Sequence, residues 1–161
     1  KNLIDNDNSK LAINMNTSLI FSQQKMTDAE YNGRVITEPN RVIDRTRVLQ
    51  GQAPFLINAG VTFTNVNKNF EAGLFYNVQG KTLEVVGVGN IPDVYTDPFN
   101  NLNFTCTKKL GANQNQTITF KAQNILADTR ESFYDYYGEE QRPFSLFKVG
   151  RSFSLGYSIK F

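Results

Sequence analysis

The last twelve residues, Gly150 to Phe161, read G-R-S-F-S-L-G-Y-S-I-K-F. Every second residue is large and apolar: Phe153, Leu155, Tyr157, Ile159 and Phe161. Those between are small or polar: Ser152, Ser154, Gly156, Ser158 and Lys160. A strict period of two is the mark of a strand with one apolar and one wet face. Chain ends ordinarily fray. A strand whose apolar face runs to the final residue implies a terminus held within a sheet.

The same alternation recurs upstream. It predicts strands over roughly residues 10–24, from Phe55 to Phe63, from Phe70 to Val78, from Leu102 to Cys106 and from Ile118 to Ala122. A sixth runs from about Phe144 to Phe161. Asn32-Gly33, Glu38-Pro39-Asn40, Gly89-Asn90, Ile91-Pro92-Asp93 and Asp97-Pro98 punctuate the segments between them. The connections alternate strictly in length: long (26–50), short (65–68), long (80–98), short (111–115), long (127–142). Thr82 to Val86 continues as strand into the second long one. In an up-and-down sheet all long connections then lie on one edge. Soluble sandwiches seldom segregate them so, whereas outer-membrane barrels do, with short periplasmic turns and long extracellular loops. Strands of about ten residues tilted by roughly 40° span the apolar band of about 25 Å.

The pattern therefore implies an all-β, antiparallel, up-and-down transmembrane β-barrel. The mean hydropathy of −0.40 agrees, since half the strand residues of such a barrel face a polar lumen. The longest uncharged run, Val48 to Asn67, holds Gln50, Gln52, Asn58 and Pro54 and is no membrane helix. Six strands cannot close a barrel, because small membrane barrels need about eight. Unpaired edges in lipid cost several kcal/mol per orphan group. Residues 1–161 are thus expected to be part of one larger barrel domain. Lys1 to Asp7 carries no signal-peptide core, and with no initiator Met the chain reads as a mature or truncated product.

Composition narrows the chemistry. There is no His and one Cys, Cys106, so His-based zinc sites, Ser-His-Asp systems and disulfide frameworks are excluded. No metal or cofactor is expected, nor catalysis. Cys106, on the apolar face, reads as a small hydrophobe. A net charge of +2 with scattered cations gives no nucleic-acid footprint. Gly87-Val88-Gly89 lacks the following helix of a dinucleotide site. Asn16-Thr17-Ser18, Asn103-Phe104-Thr105 and Asn115-Gln116-Thr117 are chance sequons.

Three constellations carry functional readings. Phe153, Leu155, Tyr157, Ile159 and Phe161 form a candidate assembly signal as well as a lipid-facing strand. Phe133, Tyr134, Asp135, Tyr136 and Tyr137 are candidate ligand contacts, with rings for stacking and acids for a cation. The bland reading of that stretch is an aromatic girdle followed by a solvated loop. Arg41, Arg45 and Arg47 near Asp44 form either an anion-contacting cluster or pairs within their own connection.

The run Arg47-Val48-Leu49-Gln50-Gly51-Gln52-Ala53-Pro54-Phe55-Leu56-Ile57-Asn58-Ala59-Gly60 resembles a stretch of TonB-dependent outer-membrane receptors of the Bacteroidetes type. Further resemblances follow in order: Tyr76 to Lys81, Val86-Gly87, Ile91 to Tyr95, Lys108-Lys109-Leu110, Lys121 to Leu126 and Lys148 to Tyr157. The resemblance spans roughly Arg47 to Phe161 and rests on the ordered set. It implies the last six strands of a 22-stranded barrel in the bacterial outer membrane, with the carboxyl terminus on the periplasmic side. The implied function is uptake of a scarce solute, such as a siderophore, oligosaccharide or peptide. The implied partners are outer-membrane lipid, the remainder of the barrel and its plug, the TonB complex, the barrel-assembly machinery and a surface lipoprotein. A different class of function is a barrel serving as structural or docking scaffold in an outer-membrane complex. The third is a soluble β-sandwich binding module.

Overall fold

The computed structural model describes residues 2–6, 8–136 and 140–161. The elements in chain order are β1 (Asn2–Asp5), β2 (Ser9–Leu19), β3 (Gln24–Lys25), α1 (Asp28–Thr37), β4 (Thr46–Arg47), β5 (Phe55–Asn65), β6 (Phe70–Gln79), β7 (Thr82–Val85), β8 (Val94–Thr96), β9 (Phe99–Leu110), β10 (Gln116–Gln123), β11 (Thr129–Tyr134), β12 (Arg142–Lys148) and β13 (Ser152–Ile159). The fold is all-β and antiparallel, with one short helix among the described residues. A seven-stranded sheet has the order β1-β2-β5-β6-β9-β10-β13, and a four-stranded sheet has the order β12-β11-β8-β7. β3 and β4 pair separately.

The large sheet is an open meander with edges β1 and β13. Its register aligns the apolar positions of neighbouring strands. Ile13 sits opposite Val61, Val61 opposite Leu74 and Leu74 opposite Phe104. Phe104 then faces Ala122, and Ala122 faces Phe153. One face is therefore apolar across six strands, since side chains two apart share a face. The opposite face carries a row of asparagines in register, Asn16, Asn58, Asn77 and Asn101. Asn77 Nδ2 donates to Asn58 Oδ1 at 2.6 Å.

Both short turns lie at the same end of this sheet. In the first, Lys68 N donates to Asn65 Oδ1 at 2.8 Å, and Asn69 takes a left-handed φ of 47°. In the second, Gly111 has φ 85°, a conformation that glycine adopts without steric cost. At the other end the long connections build structure of their own. β7 and β8 come from one connection, β11 and β12 from the next, and Phe133 pairing with Tyr95 joins them. Their buried centre is Leu83 and Val94, 0% and 1% exposed.

Two expectations need correction. The strand expected from Phe144 to Phe161 is two strands in different sheets. β12 pairs with β11, β13 pairs with β10, and Gly150 turns between them with φ 73°. The parity of the apolar residues already changes there, from even at Phe144 and Leu146 to odd at Phe153 and Leu155. β13 also ends at Ile159, not at Phe161, although Lys160 N still donates to Asn115 O at 2.8 Å. The first strand likewise stops at Leu19. The 26–50 connection contains α1, whose Thr27 hydroxyl caps the Glu30 amide at 3.3 Å. Thr27-Asp28-Ala29-Glu30 is a capping-box sequence, and that signal marks the helix better than its weak apolar periodicity does.

Candidate functional site

The large sheet leaves its apolar face uncovered. Met15, Leu19, Leu74, Phe120, Phe153 and Leu155 are all exposed, Leu155 at 76%. The chain's accessible surface is 11039 Å² at 18.2 kDa, against about 8,100 Å² for a compact monomer of that mass. Exposed apolar patches on soluble monomers rarely exceed a few hundred Å². This face needs an apolar medium or partner.

Four of the five terminal apolar residues lie on that face at the free edge. Phe153 pairs with Ala122, Leu155 with Phe120, Tyr157 with Ile118 and Ile159 with Gln116. The Phe120 and Phe153 rings stack at 6.4 Å, and Tyr157 OH donates to Gln116 Oε1 at 3.0 Å. Phe161 lies beyond the strand, fully exposed. The outer backbone edge of β13 has no neighbouring strand among the described residues.

At the rim bearing the long connections, several segments become corner joints. Asn124 is buried, with left-handed φ 50°, and its Nδ2 donates to Gly150 O at 2.8 Å. Arg151 Nε donates to Ile125 O at 2.8 Å, so 121–126 and 148–151 are clasped together. Gln50 Nε2 donates to Glu84 O and Gly51 N to Leu83 O, both at 2.8 Å, which docks 49–53 on β7. A side chain at Gly80 would strike the Phe55 ring at 2.8 Å.

Two carboxylates hold this rim. Burial raises the pKa of Asp128, but hydrogen bonds from Asn100 N (2.6 Å), the Asn100 side chain (3.0 Å) and Thr129 N (2.9 Å) outweigh it, and the net shift is downward. The carboxyl of Glu84 is lowered by hydroxyl donors, Ser132 Oγ at 2.5 Å first and Thr96 Oγ at 2.8 Å second.

Asp93, within Ile91 to Tyr95, organises the outer cluster. Its oxygens receive both terminal nitrogens of Arg34 at 2.7 Å, and Gly87 N donates to Oδ1 at 2.7 Å. Glu30 lies 3.6 Å from Arg34 and 2.5 Å from Arg47 Nε. Burial first, then the Asp93 and Asp135 charges, push the Tyr95 hydroxyl above its ordinary value. A cleft of about 160 Å³ opens between α1 and this turn, lined in part by Tyr95, Asp135 and Tyr136.

The sequence-derived ligand residues are only partly brought together. Phe133 and Tyr134 lie in β11, Asp135 and Tyr136 follow it, and Tyr137 falls outside the described residues. Tyr134 packs edge-on against Phe144 at 5.3 Å and tilts against Tyr136 at 6.0 Å; Arg142 sits 5.6 Å from the Tyr136 ring. Asp135 and Tyr136 line the small cleft, whereas Phe133 and Tyr134 do not. Arg41, Arg45 and Arg47 each have a partner within the first long connection: Glu38 (3.0 Å), Asp28 (3.1 Å) and Glu30 respectively.

Sequence reasoning missed Phe75, which sits on the polar face with its ring lying across Gly60 and Gly73. The signal was an aromatic out of phase, with one glycine two residues before it and another in the neighbouring strand. Among the described residues no helix is long and apolar enough to cross a membrane, and no group of three or more His, Cys, Asp or Glu could hold a metal. No protein-family profile, curated protein or solved structure matches the chain.

Proposed function

We propose that this chain is the carboxy-terminal part of a TonB-dependent outer-membrane transporter, contributing the last strands of a 22-stranded barrel. In this reading the apolar face of the large sheet meets lipid and the asparagine face lines the lumen. The short turns lie in the periplasm, and the second sheet stands outside the cell. β13 closes the barrel against its first strand, and the terminal apolar residues present themselves to the assembly machinery. The solute enters when the TonB complex displaces the plug.

The observation that carries this reading is the apolar face, continuous in register over six strands and uncovered. Single cysteines in a Cys106→Ser background, placed along β10 and β13 and spin-labelled in lipid vesicles, give the test. Labels at Phe120, Leu155 and Tyr157 should relax strongly with oxygen and weakly with a water-soluble nickel complex, and labels at Thr119, Ser154 and Gly156 the reverse. A profile without period two sinks the proposal.

A further inference from the structure

The excursion between β2 and β5 leaves and rejoins the large sheet at one point, where Ile20 N donates to Pro54 O at 2.9 Å. Its return leg is fixed on β7 through Gln50 and Gly51. Its outer half is attached differently. None of the α1 residues is buried, so no apolar core holds the helix. The two-residue β3–β4 pair forms its only ladder among the described residues, and Met26 N to Arg45 O (2.8 Å) continues it. Glu30 and Asp28 pair with Arg47 and Arg45 of the same excursion, so these bonds travel with the helix.

A charge contact ties the helix to the second sheet. Arg34 makes a two-pronged bond to Asp93, a geometry that fixes orientation as well as charge. Asp93 is itself held by Gly87 N and is 7% exposed. Beside the contact, Gly33 packs against the Gly89 backbone, where a side chain would come within 3.5 Å. Tyr95 lies beneath, shared by the 160 Å³ cleft and a second cavity of about 560 Å³ lined by Phe21, Val48, Pro54 and Lys81.

We infer that α1 is a rigid strap latched by Arg34 on Asp93, and that releasing this contact swings it outward and joins the two cavities over Tyr95. The swing hinges at 21–23 and 48–49, outside the β3–β4 ladder, so that Arg45 and Arg47 move with the helix. A ligand that favoured one position of the strap would shift its population. This inference does not depend on the membrane reading.

The test is a pair of spin labels at Ile36, exposed on α1, and Thr119 on β10, in the full protein carrying Cys106→Ser. Asp93→Asn keeps an acceptor for Gly87 N while removing the charge that holds Arg34; Arg34→Gln removes the other partner. Both should add a longer-distance population at the expense of the parental one. Amide exchange within α1 should accelerate at least tenfold yet stay slower than in an unfolded chain, and β9 and β10 should be unchanged. Glu71→Gln, exposed on β6 away from the excursion, should change neither. An unaltered distance distribution in both latch variants, or melting of α1 to random-coil exchange, would overturn the proposal.

Discussion

Single positions carry the tightest constraints. A Cβ at Gly87 would lie 2.1 Å from Ile91 O and 2.5 Å from the Pro92 carbonyl carbon. No flexible side chain can yield there, because the obstruction is backbone. Gly87→Ala should therefore destabilise the second sheet by about 2 kcal/mol or more, read as a lower melting temperature with loss of protection in β7 and β8. Phe75 shows the converse. Its half-exposed ring covers two buried glycines. Phe75→Ala should cost about 1–2 kcal/mol through lost burial, and an equilibrium urea titration would measure it. Asp128 carries a pH signature. Its folded pKa is depressed, so its contribution is whole above about pH 4 and is lost as pH falls through the folded value. Acid titration should loosen the corner at Asn100 and Thr129 first, and Asp128→Asn should remove that step from the exchange profile. Little of this was legible beforehand. Asp93 and Arg34 are 59 residues apart, and no local pattern pairs them. Asn124 announces itself only through its left-handed backbone.

At the scale of elements, the alternating residues located the central strands well, because a register slip of one would invert every face. They failed where two strands abut without a turn signature, at Val149-Gly150-Arg151. There the chain changes sheets through one left-handed glycine and the Asn124 clasp. They also left β8 and β11 within loops, since strands of three and six residues are too short to declare a period. β13 invites a paired test. Leu155→Arg should destabilise the large sheet by about 2–4 kcal/mol if that face meets lipid near mid-membrane, whereas Ser154→Arg should stay within about 0.5 kcal/mol. Unfolding in detergent–lipid mixtures would compare them, and equal effects would contradict the assignment of faces.

For the whole molecule, the excess of exposed surface over a compact monomer is the dominant fact. Large exposed apolar surface drives association in water. The chain by itself should be monodisperse in detergent and self-associate when the detergent is diluted below its micelle concentration. A stable monomer in plain buffer would restore the sandwich alternative. The buried residues lie mostly at the rim and in the second sheet, so the large sheet depends on its surroundings far more than the second sheet does.

The second sheet is stitched from two separate connections, with Ser132, Phe133 and Tyr134 of one lying against Thr96, Tyr95 and Val94 of the other. Loops that merely link strands can be exchanged or trimmed one at a time. These two cannot. Removing the β7–β8 hairpin would expose the β11 edge, and replacing the β11–β12 hairpin would strand Glu84 without the Ser132 hydroxyl. Chimaeras that graft either connection alone onto another antiparallel sheet should misfold where grafts of both together succeed. Over generations the two stretches are bound to drift as a single heritable unit.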